Sequence, residues 1–189
     1  DDKELVDYAK TKGADGINVV GICCTANEVL MRQGIAPIGN FLSQEMAIMT
    51  GAVELMVVDV QCIMQSLGEL TKRYHTKLVT SSPKCKIPGA IHMEFQGVNG
   101  VTLAKEIIKV AIDNYSNRKH KVCIPDVKSD MVAGFSHEYI RYMLGGRFRE
   151  SFRPLNDGII DGRIQGIVAV VGCNNARVSQ DKYHNFLVK

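Results

Sequence analysis

Hydrophobic and polar positions follow two periods along the chain, one typical of buried strands and one typical of amphipathic helices. Short aliphatic and β-branched runs predict strands over residues 17–22, 55–60, 77–80, 91–95, 122–124, 131–133 and 167–171. Apolar residues at three- and four-residue spacing predict helices over 27–33, 42–49, 63–75, 101–115 and 138–144. Further helices are expected over 2–9, 155–161 and 183–189. The two kinds of element largely alternate, which is typical of α/β folds.

The predicted strands over 55–58 and 167–171 are apolar on both faces. Strands of this kind occur in parallel sheets that helices cover on each side. The fold class predicted is therefore α/β: a doubly wound, mostly parallel, Rossmann-like sheet with helices on both faces. With 189 residues, the chain suits one domain, 1–189. Helical patterns at both ends suggest that it is part of a longer polypeptide.

Composition and charge argue against several classes of protein. Hydrophobic residues make up 46% of the chain and charged residues 23%, as in globular proteins. The longest uncharged apolar stretch, 166–173, is far shorter than the roughly 20 residues of a membrane helix. A net charge of +3 spread along the chain, without tryptophan, argues against nucleic-acid binding. No targeting peptide is visible, so a cytoplasmic location is expected.

The positions of the cysteines indicate what chemistry the chain can support. The six cysteines are Cys23, Cys24, Cys62, Cys85, Cys123 and Cys173. Three of the most strand-like runs end in a thiol, at 23–24, 62 and 173. If those strands are parallel, their carboxyl ends bring the thiols to one sheet edge. Thiolates gathered there suit zinc or an iron–sulfur cluster. Paired Cys-x-x-Cys motifs are absent, so a cluster with widely separated ligands fits better.

Core packing is the alternative explanation for each cysteine, since this residue often acts as a small hydrophobe. In that case the chain would be a non-catalytic α/β scaffold module. Cys123, before Pro125, is expected in the core, and Cys85, in a polar loop, is expected to be exposed. On an extended segment Cys23 and Cys24 point to opposite faces, so only one of them, either one, is expected to join a shared site.

Longer motifs carry a family resemblance. They are Gly-Ile-Cys-Cys-Thr-Ala-Asn-Glu-Val-Leu-Met-Arg at 21–32, Val-Val-Asp-Val-Gln-Cys-Ile-Met at 57–64 and Gly-Cys-Asn-Asn at 172–175, with further matches at 43–47, 50–52 and 132–136. Together they resemble the anaerobic nickel-containing carbon monoxide dehydrogenases over the whole chain. Gln65 departs from the family pattern, which has a proline there. Hybrid-cluster proteins, which act on hydroxylamine-like substrates, are the related alternative; the Cys-Cys-Thr and Gly-Cys-Asn-Asn motifs favour the first family.

The resemblance implies part of a homodimeric enzyme that oxidises carbon monoxide with water to carbon dioxide, two protons and two electrons. The cofactor implied is a nickel–iron–sulfur cluster, the C-cluster, and the electron acceptor is a protein such as a ferredoxin. Cys24 is then implied to bind the iron outside the cubane-like core, and Cys62 and Cys173 each to bind an iron of that core. The other cluster ligands and further iron–sulfur clusters are implied to lie outside residues 1–189, so the segment alone is expected to be inactive.

Overall fold

The computed structural model describes residues 2–25, 31–95, 97, 99–127, 135–148, 150–173, 178–179 and 182–189. Contacts between residues divide the chain into two units, Asp1–Val127 and Lys128–Lys189. The single domain expected over 1–189 stays a prediction. Among the described residues, no helix combines the length and the apolar character needed to cross a membrane.

A parallel sheet forms the centre of the first unit. Its strands are β1 (Leu55–Val58), β2 (Lys77–Thr80) and β3 (Ile91–His92), in the order β1-β2-β3. Both pairings are parallel, and Val79 of β2 lies between Val57 and Ile91 in the register. The strands lie where apolar runs predict them, although β1 and β3 are shorter than expected. A parallel sheet with intervening helices confirms the predicted α/β class.

Helices are present in both units. The first unit contains α1 (Lys3–Thr11), α2 (Cys23–Thr25), α3 (Gln44–Met49), α4 (Leu67–Leu70) and α5 (Gly100–Asn114). The second unit contains α6 (His137–Gly145), α7 (Arg153–Ile160) and α8 (Lys182–Val188). Single 3₁₀ turns lie at Met31–Gln33, Phe41–Ser43, Pro83–Cys85 and Tyr115–Asn117. The helices predicted at 2–9, 101–115, 138–144, 155–161 and 183–189 are confirmed.

The main core of the first unit lies between the sheet and helices α3 and α4. Its buried members are Ala47, Ile48, Met56, Val58, Leu67 and Leu78. Full burial of one such aliphatic side chain stabilises the fold by about 1.5–3 kcal/mol. A second cluster joins α1 to α5 through Leu5, Ala9 and Ile112. Helix α5 also packs against β1 and β2, and both clusters therefore fix the sheet whose carboxyl edge carries Cys62.

Several predicted elements differ from the observed ones. Within the described residues, 17–22, 122–124 and 167–171 form no strand; 131–133 lies outside the described residues. Residues 17–22 make one isolated parallel bridge, between Gly21 and Pro37. In the run 167–171, Val168 is 91% exposed. An apolar run becomes a strand only beside a partner strand, and the described residues supply none here. The helix predicted over 63–75 is reduced to α4.

Candidate metal centre

Three cysteine sulfurs converge in the first unit. The Sγ atoms of Cys23, Cys24 and Cys62 all lie within 4.8 Å of one another. Cys24 and Cys62 are exposed, whereas Cys23 is partly buried. Thiolates are soft donors, and a group of this size matches the ligand chemistry of zinc, copper(I) and iron–sulfur sites. Cys24 and Cys62 are two of the three ligands implied by the family resemblance.

Cys23 and Cys24 lie on a helical turn. Cys23 begins α2 with a left-handed backbone, φ 66°, and its N–H donates to the carbonyl of Gly39 at 3.0 Å. Just before it, the carbonyl of Gly21 accepts from the N–H of Ile38 at 2.9 Å. The expectation that only one of the two thiols joins a shared site is wrong. It assumed an extended backbone, whereas the turn brings both sulfurs toward Cys62.

Cys62 lies beyond the carboxyl end of β1, as its position after an apolar run predicts. Its backbone is also left-handed, with φ 51°. The side-chain amide of Gln44 donates to the carbonyl of Cys62 and accepts from the N–H of Met64, the latter at 3.2 Å. Ile63 and Met64 pack against the main core. The thiol is thus presented at the surface by a turn whose neighbouring side chains are anchored inside.

One stretch of chain contacts both cysteine-bearing turns. This bridging segment, residues 36–44, binds the α2 turn through the carbonyl of Gly39 and the Cys62 turn through Gln44. Within it, the Asn40 side chain accepts from the N–H of Leu42 at 2.9 Å, and the Ser43 hydroxyl accepts from the Asn40 N–H at 3.4 Å. A reciprocal capping box of this kind fixes the backbone locally.

Gln44 contributes to the site by supporting the Cys62 turn, and the sequence did not indicate this role. It is 3% exposed although it is the first residue of α3. Polar residues at a helix start are commonly solvated, so nothing in the periodicity of 42–49 distinguishes this amide from a surface residue. The motif Ser-Gln-Glu-Met-Ala at 43–47 supports the family resemblance, but it does not indicate which of its side chains faces inward.

The remaining cysteines are Cys85, Cys123 and Cys173. Cys173 belongs to the second unit and its side chain is exposed; its assignment as a ligand remains a proposal. Cys85 is only partly exposed, and its thiol donates to the carbonyl of Asp59. Cys123 is exposed, with its N–H donating to the Thr50 carbonyl at 2.8 Å. The prediction that Cys123 lies in the core is wrong, because no described strand pairs with 122–124 to bury it.

Parts of the sequence motifs lie outside the described residues, namely 26–30, 132–134 and 174–175.

A charged cluster occupies the opposite, amino edge of the sheet. Arg118 Nε donates to Glu54 at 2.5 Å, and His75 Nε2 lies 3.4 Å from the same carboxylate oxygen. The hydrogen bond that Arg118 donates to Glu54 raises the pKa of Arg118 above its ordinary value. Asn114 donates to the carbonyls of Glu54 and His75 at 2.7 and 2.6 Å. These contacts tie α5 to the starts of β1 and β2, which is a structural role.

The chain is similar to a known protein family and to individual proteins that carry names. The family model described as the Prismane/CO dehydrogenase family matches residues 1–189. Carbon monoxide dehydrogenase 1 of Methanosarcina mazei is 52% identical over 190 residues, which is 100% of this chain and 30% of that protein. The chain therefore spans about 30% of the length of this curated relative.

Solved structures agree with that match. A nickel-free, as-isolated carbon monoxide dehydrogenase from Thermococcus sp. AM4 superposes with a TM-score of 0.76 at 48% identity, covering 98% of this chain and 29% of that one. An acetyl-CoA synthase/carbon monoxide dehydrogenase, described with NiZn[Fe4S4] and NiNi[Fe4S4] clusters in its alpha subunits, gives a TM-score of 0.74 at 44% identity, covering 97% and 28%.

Proposed function

Because the chain belongs to the Prismane/CO dehydrogenase family, we propose that it is the ligand-bearing part of an anaerobic nickel-containing carbon monoxide dehydrogenase. The proposed reaction oxidises carbon monoxide with water to carbon dioxide, two protons and two electrons. The observation that carries the proposal is the convergence of the Cys23, Cys24 and Cys62 sulfurs within 4.8 Å. The names of the similar proteins, all matched over nearly the whole chain, support it.

The donor set fits a metal–sulfur cluster. All three ligand atoms are sulfur, two of the three residues are exposed, and two have a left-handed backbone. Backbone strain of this kind is concentrated at functional sites. In the proposed C-cluster, Cys24 holds the iron outside the cubane-like core, and Cys62 and Cys173 each hold an iron of that core. Cys23 adds a thiol beside these positions.

The contribution of the chain is to position the cluster. When bound, the cluster supplies the two-electron redox chemistry and the affinity for carbon monoxide. Cys24 and Cys62 anchor it, and backbone contacts to Gly39 and Gln44 fix the turns that carry them. Ile22 and Ile63, next to the ligands in sequence, pack against the core. Fixed anchors matter because a displacement of about 1 Å can lower a rate about 100-fold.

The whole enzyme needs more than these residues. We propose that the other cluster ligands and the electron-relay iron–sulfur clusters lie outside residues 1–189. The proposed partners are carbon monoxide and water as substrates, an electron acceptor such as a ferredoxin, and a second copy of the full-length subunit in a homodimer. A cytoplasmic location is part of the same proposal.

Two alternatives make different predictions. A hybrid-cluster protein would reduce hydroxylamine-like substrates, and a non-catalytic scaffold would hold no metal. Exposure of Cys24 and Cys62 argues against the scaffold, because packing cysteines are buried.

The test uses the full-length protein, purified anaerobically, with Cys62→Ala and Cys123→Ala compared. Cys123 is a matched control because it is also an exposed cysteine in the first unit. We expect wild type and Cys123→Ala to contain nickel and iron and to reduce a viologen dye with carbon monoxide. Cys62→Ala is expected to lose more than about 100-fold in activity, since even outer-shell changes cost about 10- to 100-fold. Unchanged metal content and activity in Cys62→Ala would overturn the assignment.

A further inference from the structure

Gln44 is a buried amide that forms hydrogen bonds to the backbone on both sides of Ile63, in the turn that carries Cys62. Its nitrogen donates to the Cys62 carbonyl, and its oxygen accepts from the Met64 N–H at 3.2 Å. Strand β1 has already ended at Val58, so β2 no longer pairs with this stretch. The side chain of Gln44 thus supplies the hydrogen bonds that a neighbouring strand would otherwise make.

These bonds act on a backbone that is unfavourable on its own. Cys62 has φ 51°, a left-handed conformation that non-glycine residues avoid because Cβ approaches the carbonyl oxygen. Such residues persist where the surrounding structure over-determines them. The amide of Gln44 is 3% exposed, so leaving its donor or acceptor unpaired would carry a desolvation penalty. The amide and the turn therefore hold each other in one arrangement.

Helix α3 makes this support rigid. Gln44 is its first residue, and Ala47 and Ile48 of the same helix are buried in the main core. Its second residue, Glu45, accepts a hydrogen bond from the Ser66 hydroxyl at 2.5 Å. The first turn of α3 therefore contacts the 62–66 stretch near both of its ends.

We infer that Gln44 is a positioning residue for the Cys62 thiolate: it sets the direction of the sulfur without touching the metal. The inference rests on the proposed function, in which Cys62 is a cluster ligand. Gln44 also ends the bridging segment whose Gly39 carbonyl binds Cys23. It consequently fixes the spacing between the Cys62 sulfur and the Cys23 and Cys24 sulfurs, which cluster assembly requires.

The test separates positioning from stability with a matched pair of variants. Gln44→Met keeps the side-chain length and removes both hydrogen bonds. Asn114→Leu is the control: Asn114 is 2% exposed, and its amide also bridges two backbone carbonyls, but at the amino edge of the sheet. Gln44→Met removes two hydrogen bonds, and Asn114→Leu removes three, since the Asn114 oxygen also accepts from Asn117 at 3.1 Å. Both changes are therefore expected to lower Tm.

The main readout is the rate at which iodoacetamide labels Cys62 in the anaerobic full-length protein, followed by mass spectrometry. Cys123 of the same sample is the internal standard, and iron and nickel per chain are measured in parallel. In wild type, Cys62 should be protected by its metal. In Gln44→Met we expect labelling about 10- to 100-fold faster, the range typical when an outer-shell partner is lost. Asn114→Leu should retain the metals and wild-type protection.

A second variant covers the case in which Gln44→Met fails to fold. In Gln44→Glu the ionised carboxylate can still accept from Met64, but it cannot donate to the Cys62 carbonyl. We expect protection of Cys62 between that of wild type and Gln44→Met, because one of the two hydrogen bonds is kept and the other is lost.

The outcomes distinguish the inference from the function on which it rests. Wild-type protection of Cys62 in both Gln44 variants would overturn the inference alone. Equal loss of protection in Gln44→Met and Asn114→Leu would overturn it too, because destabilisation would then explain the effect. If Cys62 of the wild-type protein is labelled equally fast with and without metal, the proposed ligation is wrong and the inference fails with it.

Discussion

At the scale of single residues, a left-handed backbone distinguishes two of the three cysteines whose sulfur atoms converge. Cys23, Cys62 and Glu150 are the non-glycine residues with positive φ among those described, and two of them belong to the group of three thiols. A left-handed residue costs about 1–2 kcal/mol when it carries a Cβ. The fold sustains this cost where the sulfurs converge, which is consistent with a functional requirement there.

Replacing Cys62 tests that strain. Cys62→Gly and Cys62→Ala both remove the thiol, but glycine adopts φ 51° without steric cost. We expect the metal-free 189-residue chain carrying Cys62→Gly to have a free energy of unfolding about 1 kcal/mol higher than Cys62→Ala. Urea unfolding followed by circular dichroism measures the difference. Equal stability, or a more stable alanine variant, would show that the left-handed backbone is not strained.

Replacing Gly39 tests whether the bridging segment, residues 36–44, holds the turn that carries Cys23. A Cβ at this position would lie 2.5 Å from Ser43 Cβ, too close for any side chain. Gly39→Ala is expected to destabilise the chain by about 1–3 kcal/mol, as overpacking does, and to displace the carbonyl that binds Cys23. Thermal and urea unfolding measure the loss.

The control for Gly39 is Gly16→Ala. A Cβ at Gly16 would meet no atom within 4 Å, so this change should be neutral or slightly stabilising. Similar losses in the two variants would contradict a specific role for Gly39.

At the scale of elements, helix α1 is joined to α5 by charged contacts as well as by apolar packing. Asp2 caps α1 and contacts Lys105 at 2.7 Å; that hydrogen bond is the main reason why the pKa of Asp2 is lowered. The pKa of Asp113 is lowered first by the hydrogen bond from the Tyr8 hydroxyl and then by Lys12 at 3.3 Å. Both carboxylates are therefore stabilised in the ionised form by the folded arrangement.

Acid should weaken the contact between α1 and α5. A folded pKa below the unfolded value means that the stabilisation is present above the unfolded pKa, near 3.8, and is lost as the pH falls through the folded value. We expect the free energy of unfolding to fall as the pH drops below the unfolded value near 3.8, and this fall to be smaller in Asp113→Asn. Asp7→Asn is the control, since that carboxylate lies 4.0 Å from Lys10 at the surface. An identical acid response in Asp113→Asn would refute the contribution.

Elements with a strong periodic signal could be predicted from sequence, and those that depend on distant partners could not. Helix α5 follows its apolar spacing closely, and β1 and β2 follow their apolar runs. The runs at 17–22 and 167–171 have similar composition but no strand partner among the described residues. Composition reports the tendency to be buried, whereas strand formation requires hydrogen bonding to another segment.

The candidate site also has features that could be predicted from the sequence and features that could not. Thiols placed after apolar runs predict that Cys62 meets one of Cys23 and Cys24, and the family resemblance implies Cys24. In the structure the sulfur atoms of Cys24 and Cys62 lie within 4.8 Å of each other. Participation of Cys23 could not be predicted, because it depends on a helical turn with one left-handed residue. The role of Gln44 could not be predicted either, since burial of its amide depends on how α3 packs against the turn after β1.

At the scale of the whole molecule, the chain covers about 30% of the length of the curated relative from Methanosarcina mazei. The proposed cluster needs ligands beyond residues 1–189. We expect the isolated 189-residue chain to show no carbon monoxide oxidation after anaerobic reconstitution with iron, sulfide and nickel, whereas the full-length protein is active. Viologen reduction under carbon monoxide measures both. Turnover by the isolated chain would contradict the requirement for further ligands.

The most direct test of the account is anomalous X-ray diffraction at the iron and nickel edges from crystals of the anaerobically purified full-length protein. We predict iron bonded to the sulfur atoms of Cys24, Cys62 and Cys173, with nickel in the same cluster. Density maps that show these three sulfurs without bonded iron, or bonded to separate metal ions at distant places, would contradict it.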